Sequence, residues 1–333
     1  MKTRGGVILC CVLGAMACGK VKSVVVKAAT DARQKIAGSV GTSKSAVAPA
    51  IAVDVELQKL VDQTAEGAIF RKDLPFPTRL DVRATERSEL SGRFSQTSPL
   101  GRQAAAAKGT RTKITHFERA GDQVRYTLEK SDLELPPPAT SEAVKQAPPA
   151  LAEPPLPPPV TFRKTGKSWG ADHRADFHAV ALAQELAPAF DQLLIENALA
   201  PRPLWFAKHR FRIGDELVVS GKLLPMLLLG NATGSLTLKL ESFEPVEGHP
   251  CGVFAVTGDY RRHQVPDLTG SLSDEDVTIQ TGKLWLSLIY PVIIQQELDT
   301  IQSVQAGGHD GTVIRSQGAC KVFLTRAWKR LEP

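Results

Sequence analysis

The sequence has no hydrophobic run long enough to cross a bilayer as a helix. Its first apolar stretch, residues 7–17, is far short of the roughly 20 residues that a membrane-spanning helix needs, and no later segment reaches that length without charges. Three common catalytic signatures are also missing. The chain has no Cys-x-x-Cys pair, no Gly-x-Ser-x-Gly elbow of α/β-hydrolases and no His-Glu-x-x-His zinc motif. Because the sequence contains none of these motifs, we expect that the protein is not an enzyme and has no cofactor.

A strong excess of charge is missing too. The chain has 41 Lys and Arg residues against 35 Asp and Glu, a net charge of +6. The basic residues are dispersed along the sequence, and none of the strand-like segments carries a basic stripe. This distribution is typical of an ordinary solvated surface and argues against a nucleic-acid partner.

Two short motifs resemble functional sites only in part. The segment 165–168 ends like a phosphate-binding loop, but that loop requires glycine where this chain has Thr161. Asp172, His173 and His178 bring ionisable groups together, yet the two histidines are five residues apart and do not share a helix face. The favoured interpretation is a polar helix start, and an unrecognised hydrolase remains the least favoured alternative.

The N-terminus has the form of an export signal. Basic residues within the first four positions precede the apolar stretch 7–17, and small residues at Ala15 and Ala17 suit cleavage before Cys18. The segment resembles a bacterial lipoprotein signal, which implies that Cys18 becomes the first mature residue and receives acyl chains. Simple secretion, with a cysteine there by chance, is the alternative.

This interpretation predicts a location and an attachment. We expect a signal peptide over 1–17 and a flexible tether over 18–50, a segment without aromatic residues that cannot bury enough surface to fold. The protein is then exported to the cell envelope, where acyl chains on Cys18 hold it to a membrane, facing the periplasm.

Cysteine usage agrees with export. Cleavage removes two of the five cysteines and lipidation uses a third, which leaves Cys251 and Cys320. Both begin similar strand-like runs, so a disulfide between them is possible in an oxidising compartment. Two buried free thiols are the alternative.

The remaining chain, 51–333, is expected to form a single β-rich domain. Val55, Leu57, Leu60 and Val61 recur at helical spacing, with Asp54 as N-cap, and a second helix is expected over 176–198. Alternating segments predict the strands: 80–84, 114–117, 124–128, 215–224, 234–243, 251–259, 282–288 and 319–328. Residues 290–305 fit either a helix or a strand.

These elements define a fold class. The prediction is α+β and mainly antiparallel β: a curved or partly closed meander, an unclosed barrel, covered by one or two helices. Residues 136–159, with ten of the 23 prolines, are expected to leave this sheet as a surface excursion.

One apolar run does not alternate. All seven residues of 223–229 are Leu, Met or Pro. The segment is either covered on both sides or faces an apolar cavity that accepts a lipid chain, where flexible Met and Leu side chains can adapt. The second interpretation predicts an apolar ligand wall formed by Leu223, Met226, Leu227, Leu229 and Trp285.

The order of signal, tether, helix and curved meander resembles the LolA/LolB-type envelope proteins. That resemblance implies an open β-barrel lidded by helices that carries lipid-linked cargo. It favours a non-catalytic binding protein for a hydrophobic ligand such as a lipid or acyl chain. An envelope scaffold or assembly protein, which would bind another envelope protein, is the main alternative.

Overall fold

The computed structural model describes residues 54–98, 101–134, 158–166, 168–171, 209–228, 232–266, 272–307 and 313–331, with isolated residues 156, 194, 199, 202, 205 and 206. These residues form two short helices and fourteen strands. The helices are α1 (Val55–Gln58) and α2 (Leu223–Leu228). The strands are β1 (Asp62–Thr64), β2 (Gly67–Ile69), β3 (Arg79–Ser98), β4 (Gly101–Ala120), β5 (Gln123–Glu134), β6 (Val160–Thr165), β7 (Ser168–Ala171), β8 (Arg210–Phe211), β9 (Glu216–Ser220), β10 (Ala232–Val246), β11 (His249–Pro266), β12 (Leu272–Ser287), β13 (Ile293–Gly307) and β14 (Val313–Arg330).

One large antiparallel sheet dominates the molecule. Eleven strands pair in the order β7-β6-β5-β4-β3-β14-β13-β12-β11-β10-β9, and β1-β2-β8 form a separate small sheet. The large sheet does not close into a barrel, so β7 and β9 are its two edges. The predicted fold class, mainly antiparallel β in a sheet that does not close into a barrel, is confirmed.

The strand register defines two faces of this sheet. Residues directly opposite each other on neighbouring strands point to the same side. The register connects one set of residues across strands β10 to β4, and we call their side of the sheet the inner face. These residues are Leu240, Phe254, Leu284, Gln296, Leu324, Glu86, Val82, Trp328 and Phe117. The outer face is the opposite one. We call the base the end of the sheet where β3 begins and β14 ends.

The two faces differ in chemistry because hydrophobic and charged residues alternate along each strand. On β3, Leu80, Val82 and Ala84 are buried on the inner face, whereas Arg83 and Thr85 on the outer face are exposed. Ion pairs cover the outer face, and four examples are Arg83–Glu129 (2.9 Å), Lys321–Asp299 (3.6 Å), Lys283–Glu241 (3.0 Å) and Lys239–Glu216 (3.3 Å).

The buried core lies mainly at the base. One cluster joins Val82, Phe117, Tyr126 and Trp328 with residues from the turn after β12. A second cluster lies on the inner face of β9 to β12, where α2 and the small sheet cover it. A glycine permits this cover to approach closely: a Cβ at Gly252 would overlap the Phe70 ring.

Several local predictions can be compared with the structure. Asp54 caps α1 as expected, because its Oδ1 accepts hydrogen bonds from the backbone N–H of Glu56 (2.9 Å) and Leu57 (3.3 Å). The helix itself is shorter than predicted and ends after one turn. The ambiguous segment 290–305 is mostly strand, since β13 begins at Ile293. The expected helix 176–198 and nearly all of the Pro-rich segment 136–159 lie outside the described residues.

Candidate functional site

The inner face of β11 to β14 contains an extended surface almost free of charge. Arg326 bounds it near the base, and the ion pair Arg262–Glu275 (3.5 Å) bounds it toward the far end. Between them, the only ionisable inner-face side chains on these strands are Tyr260 and Cys320. The inner-face residues there are Phe254, Val256, Gly258, Tyr260, Val277, Ile279, Gly282, Leu284, Gln296, Leu298, Thr300, Gln302, Val304, Ser316, Gly318, Cys320, Val322 and Leu324.

Neutral polar groups on this surface are buried and hydrogen-bonded. Thr300 Oγ1 donates to the carbonyl oxygen of Cys320 (2.9 Å), and Gln302 Nε2 donates to Thr300 Oγ1 (3.2 Å). Burial raises the pKa of the Cys320 thiol to about 11, so the thiol is neutral. On the outer face of the same strands, Ser303 and Gln317 are exposed. Thr300 and Gln302 therefore make these hydrogen bonds within the protein rather than with water.

Apolar side chains on the same face keep part of their surface accessible. Leu90, Leu298, Val304 and Val322 are each half-buried. Leu90 lies on β3, Val322 on the adjacent β14, and Leu298 and Val304 on β13 beside it. An uncharged surface with incompletely covered aliphatic groups can accept a further apolar chain, because each buried methylene contributes about 0.8 kcal/mol.

Aromatic residues close the β9–β12 side of this face. Phe70, directly after β2, contacts Phe206, Phe211 and Phe254, with ring centroids 5.2 to 5.4 Å apart. Beside them, α2 packs its buried Leu224 and Leu227 into the same cluster. The run 223–229 is therefore helical over 223–228 and acts as cover for the inner face.

The residues of the apolar ligand wall predicted from the sequence lie in different parts of the structure. Leu223, Met226 and Leu227 lie together on α2, and Leu229 lies outside the described residues. Trp285 belongs to the outer face, because it alternates with Leu284 and Leu286. There its Nε1 donates to Glu244 Oε1 at 2.7 Å. Trp285 and the α2 residues therefore do not form one wall.

Of the two alternatives for Cys251 and Cys320, the structure has two buried free thiols rather than a disulfide. Cys251 lies on β11 and Cys320 on β14, with β12 and β13 between them. Three strand spacings of about 4.8 Å place them far beyond disulfide reach. They also point to opposite faces. The similar sequences after the two cysteines did not indicate neighbouring strands.

A buried serine–histidine pair lies at the base. Ser287 Oγ accepts hydrogen bonds from the backbone N–H of Ile289 (3.2 Å) and Tyr290 (3.0 Å), and it lies 2.7 Å from His249 Nε2. With both lone pairs used, the hydroxyl donates its proton to His249, whose Nδ1 then carries the ring proton. Both residues are almost inaccessible to solvent, and burial lowers the pKa of His249 to about 3. This pair fixes the turn after β12 and is not placed to attack a substrate.

The remaining sequence candidates can be placed only in part. Cys18 and the trio Asp172, His173 and His178 lie outside the described residues. Among the described residues, no group of three or more His, Cys, Asp or Glu is arranged to hold a metal ion. No helix in the described ranges is long and apolar enough to cross a membrane.

A groove of about 350 Å³ lies on the outer face. Its walls include Glu89, Lys108, Glu134 and Lys321. Carboxylates and ammonium groups alternate there, and Lys321 already pairs with Asp299. The groove is therefore a solvated part of the ion-pair network and is a weaker candidate than the inner face.

Sequence reasoning missed the inner-face polar residues. Gln296, Leu298, Thr300, Gln302 and Val304 alternate with outer-face residues along β13. This alternation was present in the sequence, but the same segment also fitted a helical period. Allowing Thr and Gln at inward-facing strand positions would have predicted this inner-face surface from the sequence.

Comparisons with known proteins do not place the chain in a family. No protein-family model and no curated protein sequence matches it. One similar solved structure is lipovitellin, described for its lipid–protein interactions: identity is 10%, the match covers 78% of this chain and 26% of that chain, and the TM-score is 0.32. Another is Neisserial surface protein A (NspA), with 10% identity, coverage of 74% and 96%, and a TM-score of 0.16. This chain thus spans about a quarter of the lipovitellin chain, and both likenesses are weak.

Proposed function

We propose that this protein is a cell-envelope lipoprotein that binds a hydrophobic ligand, such as a lipid acyl chain, on the inner face of its large sheet. It acts without catalysis. The observation that carries the proposal is the contrast between the two faces. Ion pairs cover the outer face, whereas the inner face of β11 to β14 is nearly uncharged and incompletely covered.

The physical argument concerns desolvation. An acyl chain placed against a surface gains free energy in proportion to the apolar area it covers, but it also removes water from every polar group there. Thr300 and Gln302 already have protein partners, so their desolvation is offset. Leu298 and Val322 supply apolar area at the same level of the sheet. The inner face therefore fits an acyl chain better than it fits a charged or sugar-like ligand.

The membrane attachment is part of the same proposal. Acyl chains on Cys18 would hold the protein to the membrane, and the tether 18–50 would let the sheet reach away from it. A sheet anchored beside a lipid bilayer meets lipid as its most abundant hydrophobic ligand. The mass of the mature N-terminus tests the attachment independently of ligand binding.

Native mass spectrometry of the detergent-extracted, full-length protein tests the proposal. We expect a lipid adduct on the wild type and a mature chain whose mass includes acyl groups on Cys18. In the variant Val322→Trp, the new ring fills the inner face, so we expect the lipid-bound fraction to fall at least fivefold. The matched control is Lys321→Trp, one residue away on the exposed outer face, which should keep the wild-type fraction.

Two results would contradict the proposal. An unmodified wild-type chain with no adduct would contradict both the acyl anchor on Cys18 and the binding of a lipid ligand. An equal loss of lipid in both tryptophan variants would show that binding does not depend on the inner face. Thermal unfolding of each variant checks that the sheet is intact.

An assembly function is the second candidate, and the edge strand β9 favours it. Among the described strands, β9 pairs only with β10, and Ile213 and Val218 beside this edge are 64% and 60% exposed. An open edge with exposed aliphatic groups can pair with another chain. Cross-linking of intact cells through cysteine introduced at Val218 would distinguish this function, because a lipid carrier predicts no protein adduct there.

A further inference from the structure

A pair of glycines bends the large sheet toward its inner face between β14 and β3. Gly92 on β3 lies directly opposite Gly318 on β14, and Cβ atoms on these two residues would lie 2.7 and 2.4 Å from the Cα of the other. Side chains on the concave side of a bent sheet converge, so glycine there permits a bend that any side chain would prevent. The inner face is therefore concave at this pair of strands.

A second bend of the same kind lies between β10 and β11. Gly234 is opposite Tyr260, and Gly258 is opposite Leu236. A Cβ on Gly234 would lie 2.8 Å from the Tyr260 Cα, and one on Gly258 would lie 3.0 Å from the Leu236 Cα. The strands β11 to β14 between the two bends form the floor of a trough, with β10 and β3 as its walls. Because each bend lies between neighbouring strands, the trough runs along the strands.

Part of this floor is already covered. Val277 and Ile279 on β12 are buried in the same cluster as Leu224 of α2, and Leu298 on β13 packs against that cluster. The open floor therefore consists of β13 and β14, with half-buried Leu90 on the β3 wall. Two strand spacings, about 10 Å, separate the backbones of β13 and β3. Between the side chains, this width admits one hydrocarbon chain.

The open floor also has a defined length. On β13, half-buried Leu298 and Val304 are six residues apart, which corresponds to about 20 Å of strand. The inner-face side chains between them, Thr300 and Gln302, are neutral and hydrogen-bonded to each other. An extended hydrocarbon chain advances about 1.3 Å per carbon, because its C–C bonds of about 1.5 Å zigzag. A chain of about 16 carbons therefore matches the distance from Leu298 to Val304.

The two ends of the trough differ in their access to water. Toward the base, Arg326 is 2% exposed and donates to a backbone carbonyl oxygen at 2.6 Å, and Trp328 beyond it belongs to the buried core. Toward the far end, Glu275 lies directly opposite Val304, and the side chain of its ion-pair partner Arg262 is 33% exposed. A polar headgroup keeps its contact with water only at the far end.

We infer that the ligand is a single-chain lipid of about 16 carbons that lies lengthwise on β13 and β14. Its tail points toward the base, and its polar headgroup lies beside Arg262 and Glu275. The inference rests on the proposed function and deepens it, because it assigns the number of chains, their length and their direction. Leu298 and Val304 contact the two ends of the chain, and the two glycine bends set the width of the trough.

A chain-length series tests this assignment. Saturated fatty acids of about 10 to about 22 carbons compete with a fluorescent fatty acid for the full-length protein. Each added methylene that the trough covers should raise the affinity about two- to fourfold, and the gain should stop at about 16 carbons. Native mass spectrometry of the same samples should show one bound fatty acid per protein chain.

A tryptophan at the far end should shorten the trough. In Val304→Trp the ring covers the last pair of residue positions, about 7 Å, so the gain in affinity should stop about five carbons earlier. The matched control is Gln305→Trp, the next residue, which is exposed on the outer face and should keep the wild-type limit. If Val304→Trp does not fold, Val304→Phe replaces it and should move the limit in the same direction by fewer carbons.

Three results would overturn the inference while leaving lipid binding intact: an affinity that keeps rising beyond 16 carbons by about the same factor, two fatty acids per wild-type chain, or a limit that Val304→Trp does not move. A limit moved by Leu90→Trp and not by Val304→Trp would show that the chain crosses the strands, which also contradicts the lengthwise position. If no fatty acid of any length binds, the proposed function fails together with this inference.

Discussion

Acid should destabilise this protein through His249, and the size of the effect follows from its environment. His249 is buried and accepts the hydroxyl proton of Ser287 at 2.7 Å. The charged group that acts on His249 is Asp54, and it forms no ion pair with the imidazole. The folded state therefore holds the neutral ring and resists protonation down to about pH 3.

The sign and window follow from proton linkage. An unfolded histidine binds a proton near pH 6.5, and the folded protein does so only near pH 3. Between these values the unfolded state holds more protons, so the free energy of unfolding falls as the pH falls. The loss is about 1.36 kcal/mol per pH unit, which amounts to about 2.7 kcal/mol at pH 4.5 relative to pH 8.

Urea unfolding from pH 8 to pH 4.5 measures this loss, and His249→Gln isolates it. The glutamine amide oxygen can still accept from Ser287, but it does not titrate. The variant should therefore lose about 2.7 kcal/mol less than the wild type over this range. His209→Gln, an exposed histidine, is the control and should follow the wild type. Parallel profiles for the wild type and His249→Gln would refute the reasoning.

Three further predictions concern the same core. Ser287→Ala leaves two backbone N–H groups and the imidazole without their partner, so the free energy of unfolding should fall by about 3 kcal/mol in urea titrations; no change would mean that water replaces the hydroxyl. Gly252→Ala should destabilise by about 1 to 3 kcal/mol because its methyl group overlaps the Phe70 ring, and adding Phe70→Leu should recover part of that loss in a double-mutant cycle. Alkylation should label Cys251 and Cys320 only after unfolding without reductant; a mature chain that resists labelling when unfolded would show that they are oxidised.

The sequence predicted those strands in which hydrophobic and polar residues alternate. Segments 251–259 and 319–328 lie within β11 and β14, where one face is buried and the other exposed. Alternation did not predict the halves of β3 and β4 that lie farthest from the base. There, residues 101–108 are all small or polar in the sequence, so no alternation marks them as a strand. The two strands still pair over 20 positions because the neighbouring strands of the sheet favour extended backbone there.

The candidate site was less accessible to sequence reasoning than the fold. Leu223 to Leu228 were recognised as unusual, but the choice between helix and strand depends on their packing against β9 and β10. The position of Trp285 relative to α2 depends on its register with β11. The possible disulfide between Cys251 and Cys320 was suggested by local similarity, which carries no information about strand order. Both are long-range relations that composition and spacing do not encode.

The position of β14 has a consequence for how the molecule is made. Strands β3 to β7 and β9 to β13 each form a run of neighbours in chain order, and only β14 connects them. During synthesis, both runs exist before the strand that joins them has emerged. Until then, the β3 and β13 edges are open to incorrect pairing, so the last strand of the chain completes the sheet.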